Sequence, residues 1–242
     1  MTDLEIKPRR YFTRRRVIRG GLASLATGAG LYLIGGEEPG EQLSLQLNYD
    51  LNAVRRGATV PRIILPTFGG GLGLVTHTPA RKDLFFRLML PIILAENEKI
   101  KDKTKRIPVS LVLAQAAIES GWGSARFTIE GNAVFGERIY GAEGRGIAPK
   151  KGTGAFRVRA FKTLSASVAA YMENLNTHPE YGQFRAARGA IWAEGRAPSG
   201  VELAYFLVSY SEERSLYAEK VMAVITKNSL HAFDGTKLEA TP

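Results

Sequence analysis

No cysteine occurs anywhere in the 242 residues, which excludes disulfide staples, thiol nucleophiles and cysteine-built metal sites. Histidine is almost as scarce. His77, His178 and His231 are the whole supply, they stand far apart, and no His-x-x-x-His pair exists, so neither a metal nor a cofactor is expected. Long apolar runs are also missing: the run from Gly20 to Gly36 falls slightly short of the ~20 residues that span a bilayer as a helix. No repeat or extended low-complexity stretch is visible. Nor does a nucleic-acid-binding signature accompany the basic charge.

What is present is an ordinary globular composition, 45% hydrophobic, in a chain long enough for one sizeable core with appendages. The formal charge of +10 is unevenly placed: within residues 1–20, Lys7, Arg9, Arg10, Arg14, Arg15, Arg16 and Arg19 face only Asp3 and Glu5, so half of it lies there. The other half suits an anionic polymer and equally a merely soluble surface.

Thr13-Arg14-Arg15-Arg16-Val17-Ile18-Arg19 looks like a twin-arginine export signal. The apolar run behind it reads as a signal h-region or an uncleaved anchor. Glu37-Glu38-Pro39 follows directly and Ala26-Thr27-Gly28 is a poor cleavage site, so the anchor reading is preferred, with the remaining chain outside the cytoplasmic membrane. A buried core helix is the alternative, disfavoured by the arginine cluster in front. Either export reading places the rest of the chain in the periplasm or on the outer face of that membrane.

The expected division is therefore residues 1–36 as signal or anchor, 37–77 as linker and extended lead-in, 78–233 as the folded domain, and 234–242 as a frayed tail. In the linker, Val60-Pro61-Arg62-Ile63-Ile64-Leu65-Pro66 and Gly69-Gly70-Gly71-Leu72-Gly73 break both helix and strand. The Val60–Leu65 piece resembles the lead-in of a known family and, by that resemblance, is expected to lie extended along the domain. Thr78-Pro79 then starts a helix with one apolar stripe, Leu84, Phe85, Leu88, Met89, Ile92 and Ile93, which Pro91 should kink.

The chain is organised around Leu111-Val112-Leu113-Ala114-Gln115-Ala116-Ala117-Ile118-Glu119-Ser120-Gly121-Trp122-Gly123. Pro108 suits the first turn of this helix and Gly121 the left-handed position just past its end, which puts Glu119 at the C-terminus. A lone Glu at a helix end is ordinarily a solvated charge or a cap partner. Here, apolar neighbours and the negative end of the helix dipole both disfavour the anion, as a general acid near neutral pH requires.

After Phe135-Gly136, glycines punctuate a segment whose far side, Phe156-Arg157-Val158-Arg159-Ala160-Phe161, alternates with period two and predicts a strand with one apolar and one basic face. Glu137 and Glu143 are the nearby candidates for a second carboxylate. Each is ordinarily a solvated loop charge; Glu143 is preferred for its glycine-flanked loop. Helices are expected again over Ser165 to Asn176, from the Ser199-Gly200-Val201-Glu202 capping box through Tyr210, and around Tyr217, Val221, Val224 and Ile225. His178, before Pro179, reads as a cap or edge contact.

Four blocks carry a family resemblance: Glu119-Ser120-Gly121-Trp122-Gly123-Ser124-Ala125-Arg126-Phe127, Gly131-Asn132-Ala133-Val134-Phe135-Gly136, Tyr171 through Tyr181, and Ser209-Tyr210-Ser211. The chain resembles the glucosaminidase family of lysozyme-like peptidoglycan hydrolases, most closely its Bax-type branch, over roughly Val60 to Phe233. One departure is Asn132-Ala133, where the family commonly has two asparagines. The resemblance implies a mostly α, lysozyme-like domain with a small β-lobe forming one wall of a cleft. It further implies cleavage of β-1,4 bonds at N-acetylglucosamine in peptidoglycan glycan strands, with Glu119 as acid. A lytic transglycosylase using the same acid, or a wall-binding scaffold without catalysis, are the alternatives.

Water activation would fall to Glu143 or to the substrate's own 2-acetamido group. Tyr171 would line the catalytic centre, or act as an ordinary core tyrosine. Ser120, Trp122, Asn132, Phe135 and Tyr210 are the expected substrate contacts, with packing as the alternative for Trp122 and Tyr210.

Overall fold

The computed structural model describes residues 49–62, 78–141, 144–150, 155–207, 210 and 215–240. The arginine-rich segment, the apolar run behind it, residues 63–77 and Glu143 lie outside them.

The acid-bearing stretch forms α3, Val109–Ser120, after α1, Leu51–Arg55, and α2, Thr78–Lys99. Eleven of the twelve residues of α3 are buried, which makes it the central helix, packed against α2, the last helix and the 3-10 turn Leu230–Phe233. It stops where Gly121 enters the left-handed region at φ 57°, a conformation that side chains with a Cβ resist. Pro108 stands just before the first turn, at the N-cap. Helix α2 runs from Thr78 through Pro91 to Lys99, burying Phe85, Met89, Leu90 and Ile93. Asn97 on α2 then steers the chain into α3: its Nδ2 donates to the Ile107 carbonyl at 2.7 Å, and its Oδ1 accepts from the Ile107 amide at 3.1 Å.

After α4, Arg126–Gly131, come the strands β1, Arg138–Ile139, β2, Gly146–Ile147, and β3, Arg157–Arg159, paired antiparallel in the order β1-β3-β2. Val158 is buried while Arg157 and Arg159 are partly exposed, so the strand alternates as its sequence predicts. The chain returns to helix in α5, Leu164–Thr177, α6, Gly182–Ala193, α7, Gly200–Ala204, and α8, Ser215–Lys227. The Ser199/Glu202 capping box is present at the start of α7. That helix ends sooner than expected, passing into the 3-10 turn Tyr205–Leu207. The architecture is the mostly helical domain with a small β-lobe that the sequence predicts.

Val60 lies extended along the domain as expected, but the lead-in before it and the segment after Phe233 are more structured than their sequence suggests. The lead-in buries Leu51, Val54 and Val60, and Val60 forms a parallel bridge with Leu238. The Val60 amide donates to the Lys237 carbonyl, and the Glu239 amide to the Val60 carbonyl, both at 2.9 Å. The segment after Phe233 therefore does not fray as expected. Asp234 accepts from the Ser110 amide at 2.7 Å and from the Ser110 hydroxyl at 2.8 Å, capping the N-terminus of α3 from the far end of the chain.

Candidate active site

Glu119 sits one residue before the end of α3 and is only 9% exposed. Its Oε1 accepts a hydrogen bond from the Tyr217 hydroxyl of α8 at 3.0 Å. The same hydroxyl accepts from Gln115 Nε2 at 2.9 Å, and Gln115 Oε1 accepts from the Tyr171 hydroxyl of α5. A buried chain of polar groups thus runs from Tyr171 through Gln115 and Tyr217 to the carboxylate.

Aromatic rings wall this chain in. Tyr210 stacks on Tyr217 with centroids 5.2 Å apart, Phe135 stacks on Tyr171 at 3.9 Å, and Tyr210 meets Tyr171 edge-on at 6.4 Å. Burial pushes the hydroxyls of Tyr171, Tyr210 and Tyr217 well above their ordinary range, and the nearby Glu119 charge adds to the effect on each. They are neutral donors at any physiological pH. Burial withdraws the Glu119 carboxyl from water, and Tyr217 supplies it with a hydrogen bond in exchange.

The Gly121-Trp122-Gly123 turn closes the site at the helix end. All three residues have positive φ, 57°, 59° and 79°. For tryptophan this conformation is unfavourable, and packing holds it: the indole meets Phe85 at 5.9 Å and Phe86 at 5.4 Å, with the Lys82 ammonium 4.7 Å from its centroid. Trp122 thus faces α2. Ser120 is fully buried, its hydroxyl donating to the Ala116 carbonyl at 2.6 Å and accepting from the Gly123 amide at 2.8 Å. That places Ser120 inside the turn.

Asn132 caps α4 in the left-handed conformation at φ 51°, and its Nδ2 donates to the carbonyls of Phe161 and Lys162, both at 3.2 Å. It ties α4 to the strand end through backbone. Phe135, 3% exposed, carries the chain from this turn to β1 across the face of Tyr171. Glu137 is not the solvated loop charge expected of it: it is 3% exposed and accepts from Arg159 Nη1 at 3.0 Å. Burial raises its pKa and the Arg159 guanidinium restrains the rise. Glu143 lies outside the described residues. His178 caps as expected, its Nδ1 accepting from the Glu180 amide at 3.3 Å. Among the described residues, no group of three histidine, aspartate and glutamate side chains could hold a metal ion.

Gln115 and Tyr217 are site residues that the sequence reading passes over. Gln115 carries a legible signal: it is the only long polar side chain in an apolar helix before Glu119, one turn earlier on the same face.

The geometry, an acid ending a buried helix before a Gly-Trp-Gly turn, falls within a matching region. Residues 96–230 match the glucosaminidase family, described as mannosyl-glycoprotein endo-beta-N-acetylglucosaminidase. The chain belongs to the glucosaminidase family. Protein bax of Escherichia coli (strain K12) is 33% identical to this chain over 123 residues, 50% of this chain and 43% of that protein. The match thus spans less than half of that relative, and it agrees with the Bax-type resemblance read from the motif blocks. Among solved structures, the catalytic domain of the autolysin Auto from Listeria monocytogenes covers 66% of this chain, with 92% of that domain matched at 19% identity and a TM-score of 0.47.

Proposed function

We propose that this member of the glucosaminidase family hydrolyses the glycan strands of peptidoglycan, cleaving β-1,4 bonds at N-acetylglucosamine with Glu119 as the general acid. One observation carries the reading: Glu119 is buried at a helix end, hydrogen-bonded to Tyr217 and surrounded by aromatic rings whose hydroxyls stay neutral. Burial among the rings favours the protonated carboxyl, the form that can hand its proton to the departing glycosidic oxygen. The bond then breaks through an oxocarbenium-like transition state.

Water activation falls to the substrate's 2-acetamido group or to Glu143. Glu137 is set aside because Arg159 occupies it. Export through the Arg14-Arg15-Arg16 segment takes the chain to the compartment where peptidoglycan lies. No helix among the described residues is long and apolar enough to cross a membrane.

Digestion of purified sacculi by the full chain, with products identified by mass, tests the reaction type. Reducing N-acetylglucosamine ends are expected. Anhydromuramyl ends would mean a lytic transglycosylase, and absence of released fragments a wall-binding scaffold.

A further inference from the structure

We infer that Gln115 is a positioning residue which, through Tyr217, fixes the oxygen of Glu119 that carries the transferable proton; this rests on Glu119 being the general acid. The direction of each hydrogen bond follows from what each group can do. An amide nitrogen only donates, so Gln115 Nε2 obliges the Tyr217 oxygen to accept at 2.9 Å. The Tyr217 proton then has the Glu119 Oε1 to go to, 3.0 Å away. The polarity is set at the carboxylate end: ionised Glu119 only accepts, so Tyr217 donates to it and takes its own bond from Gln115 Nε2, which leaves Gln115 Oε1 to accept from the Tyr171 hydroxyl.

With Oε1 held as an acceptor in both protonation states, the acidic proton of Glu119 is confined to Oε2. A reversed amide would present its carbonyl to Tyr217 and draw the hydroxyl proton away from the carboxylate. Gln115 and Glu119 are one helical turn apart on α3, so the helix itself sets their spacing. Tyr171 comes from α5 and Tyr217 from α8, so three helices must be packed before the polarity is defined. Tyr171, Tyr181, Tyr210 and Tyr217 each feel the Glu119 charge, and burial holds all four neutral. None of them competes as a proton source in the neutral range.

The test is the titration of the Glu119 carboxyl carbon by NMR in the full chain, read beside the pH dependence of sacculus digestion. Tyr217→Phe keeps the ring stack on Tyr210 and removes the donor to the anion. Its Glu119 midpoint should rise by about one pH unit, and the alkaline limb of kcat should move with it. Gln115→Met should raise the midpoint by less when Tyr217 is present, and not at all in the Tyr217→Phe background. Tyr171→Phe, which leaves α3 untouched, should shift it in the same direction as Gln115→Met and guards against a Gln115 variant that does not fold.

An unmoved midpoint in Tyr217→Phe overturns the inference, as does an undiminished Gln115→Met shift when Tyr217 is already Phe. The titration needs no turnover. A Glu119→Gln chain that still releases fragments would defeat the general-acid reading alone, so the two failures are distinguishable.

Discussion

Asp234 caps the helix that bears Glu119 by holding the amide and the hydroxyl of Ser110, 124 positions earlier in the chain, at 2.7 and 2.8 Å. The Gly200 amide also donates to it, at 3.4 Å. A single carboxylate therefore joins the N-termini of α3 and α7. Asp234→Ala strands these donors beneath the domain and should lower the unfolding free energy by about 2 kcal/mol, measured by urea denaturation. Gly200→Ala strikes the same junction from the other side, since a Cβ there would collide with the Ser110 hydroxyl and lie 2.7 Å from the Leu111 amide. It should destabilise by ~1–3 kcal/mol in the same assay.

Trp122 packs on Phe85 and Phe86, and this contact holds a left-handed turn directly after the acid. Trp122→Ala should lower stability by roughly 3 kcal/mol and reduce kcat more than it raises KM. A variant of unchanged stability with a much larger KM would make the indole a sugar platform instead.

The carboxyl of Glu137 has a folded pKa above its ordinary value of 4.5, because burial outweighs Arg159. The folded protein therefore takes up the proton more readily than the unfolded chain. Relative to Glu137→Gln, the wild type should be most stable below that ordinary value and lose the advantage as pH rises through the folded pKa. Parallel stability curves for the two proteins between acid and neutral pH would contradict this.

The lead-in belongs to the folded unit. Leu51, Val54 and Val60 are buried, and Val60 pairs with Leu238. A chain starting at Thr78 should unfold at a lower temperature than one starting at Tyr49, and Leu238→Ala should destabilise the longer chain by about 2 kcal/mol. Equal thermal midpoints for the two lengths would return the domain boundary to Thr78.

Much of this was legible in the sequence, and the reasons are local. Gly121 and the apolar run before it mark the end of α3 wherever the rest of the chain goes, which is why Glu119 could be placed. Tyr217 could not be joined to Glu119 that way, because 98 positions separate them and the register of α8 against α3 decides the contact. Helix α6 was invisible for a different reason: Gly182 and Gly189 dilute its pattern, and it buries only Phe184, Arg188 and Ile191. The segment after Phe233 looked frayed because it is polar. Its anchor is itself polar, Asp234 on backbone and hydroxyl donors, which a hydrophobicity pattern does not register. Glu137 similarly needed β3 in place before Arg159 could reach it.

The general-acid role of Glu119 is tested most directly by incubating wild type and Glu119→Gln with purified sacculi, measuring bound protein and released fragments together. The account predicts equal binding and a fall in fragment release of about a hundredfold or more in the variant. Release at the wild-type rate by Glu119→Gln would contradict it.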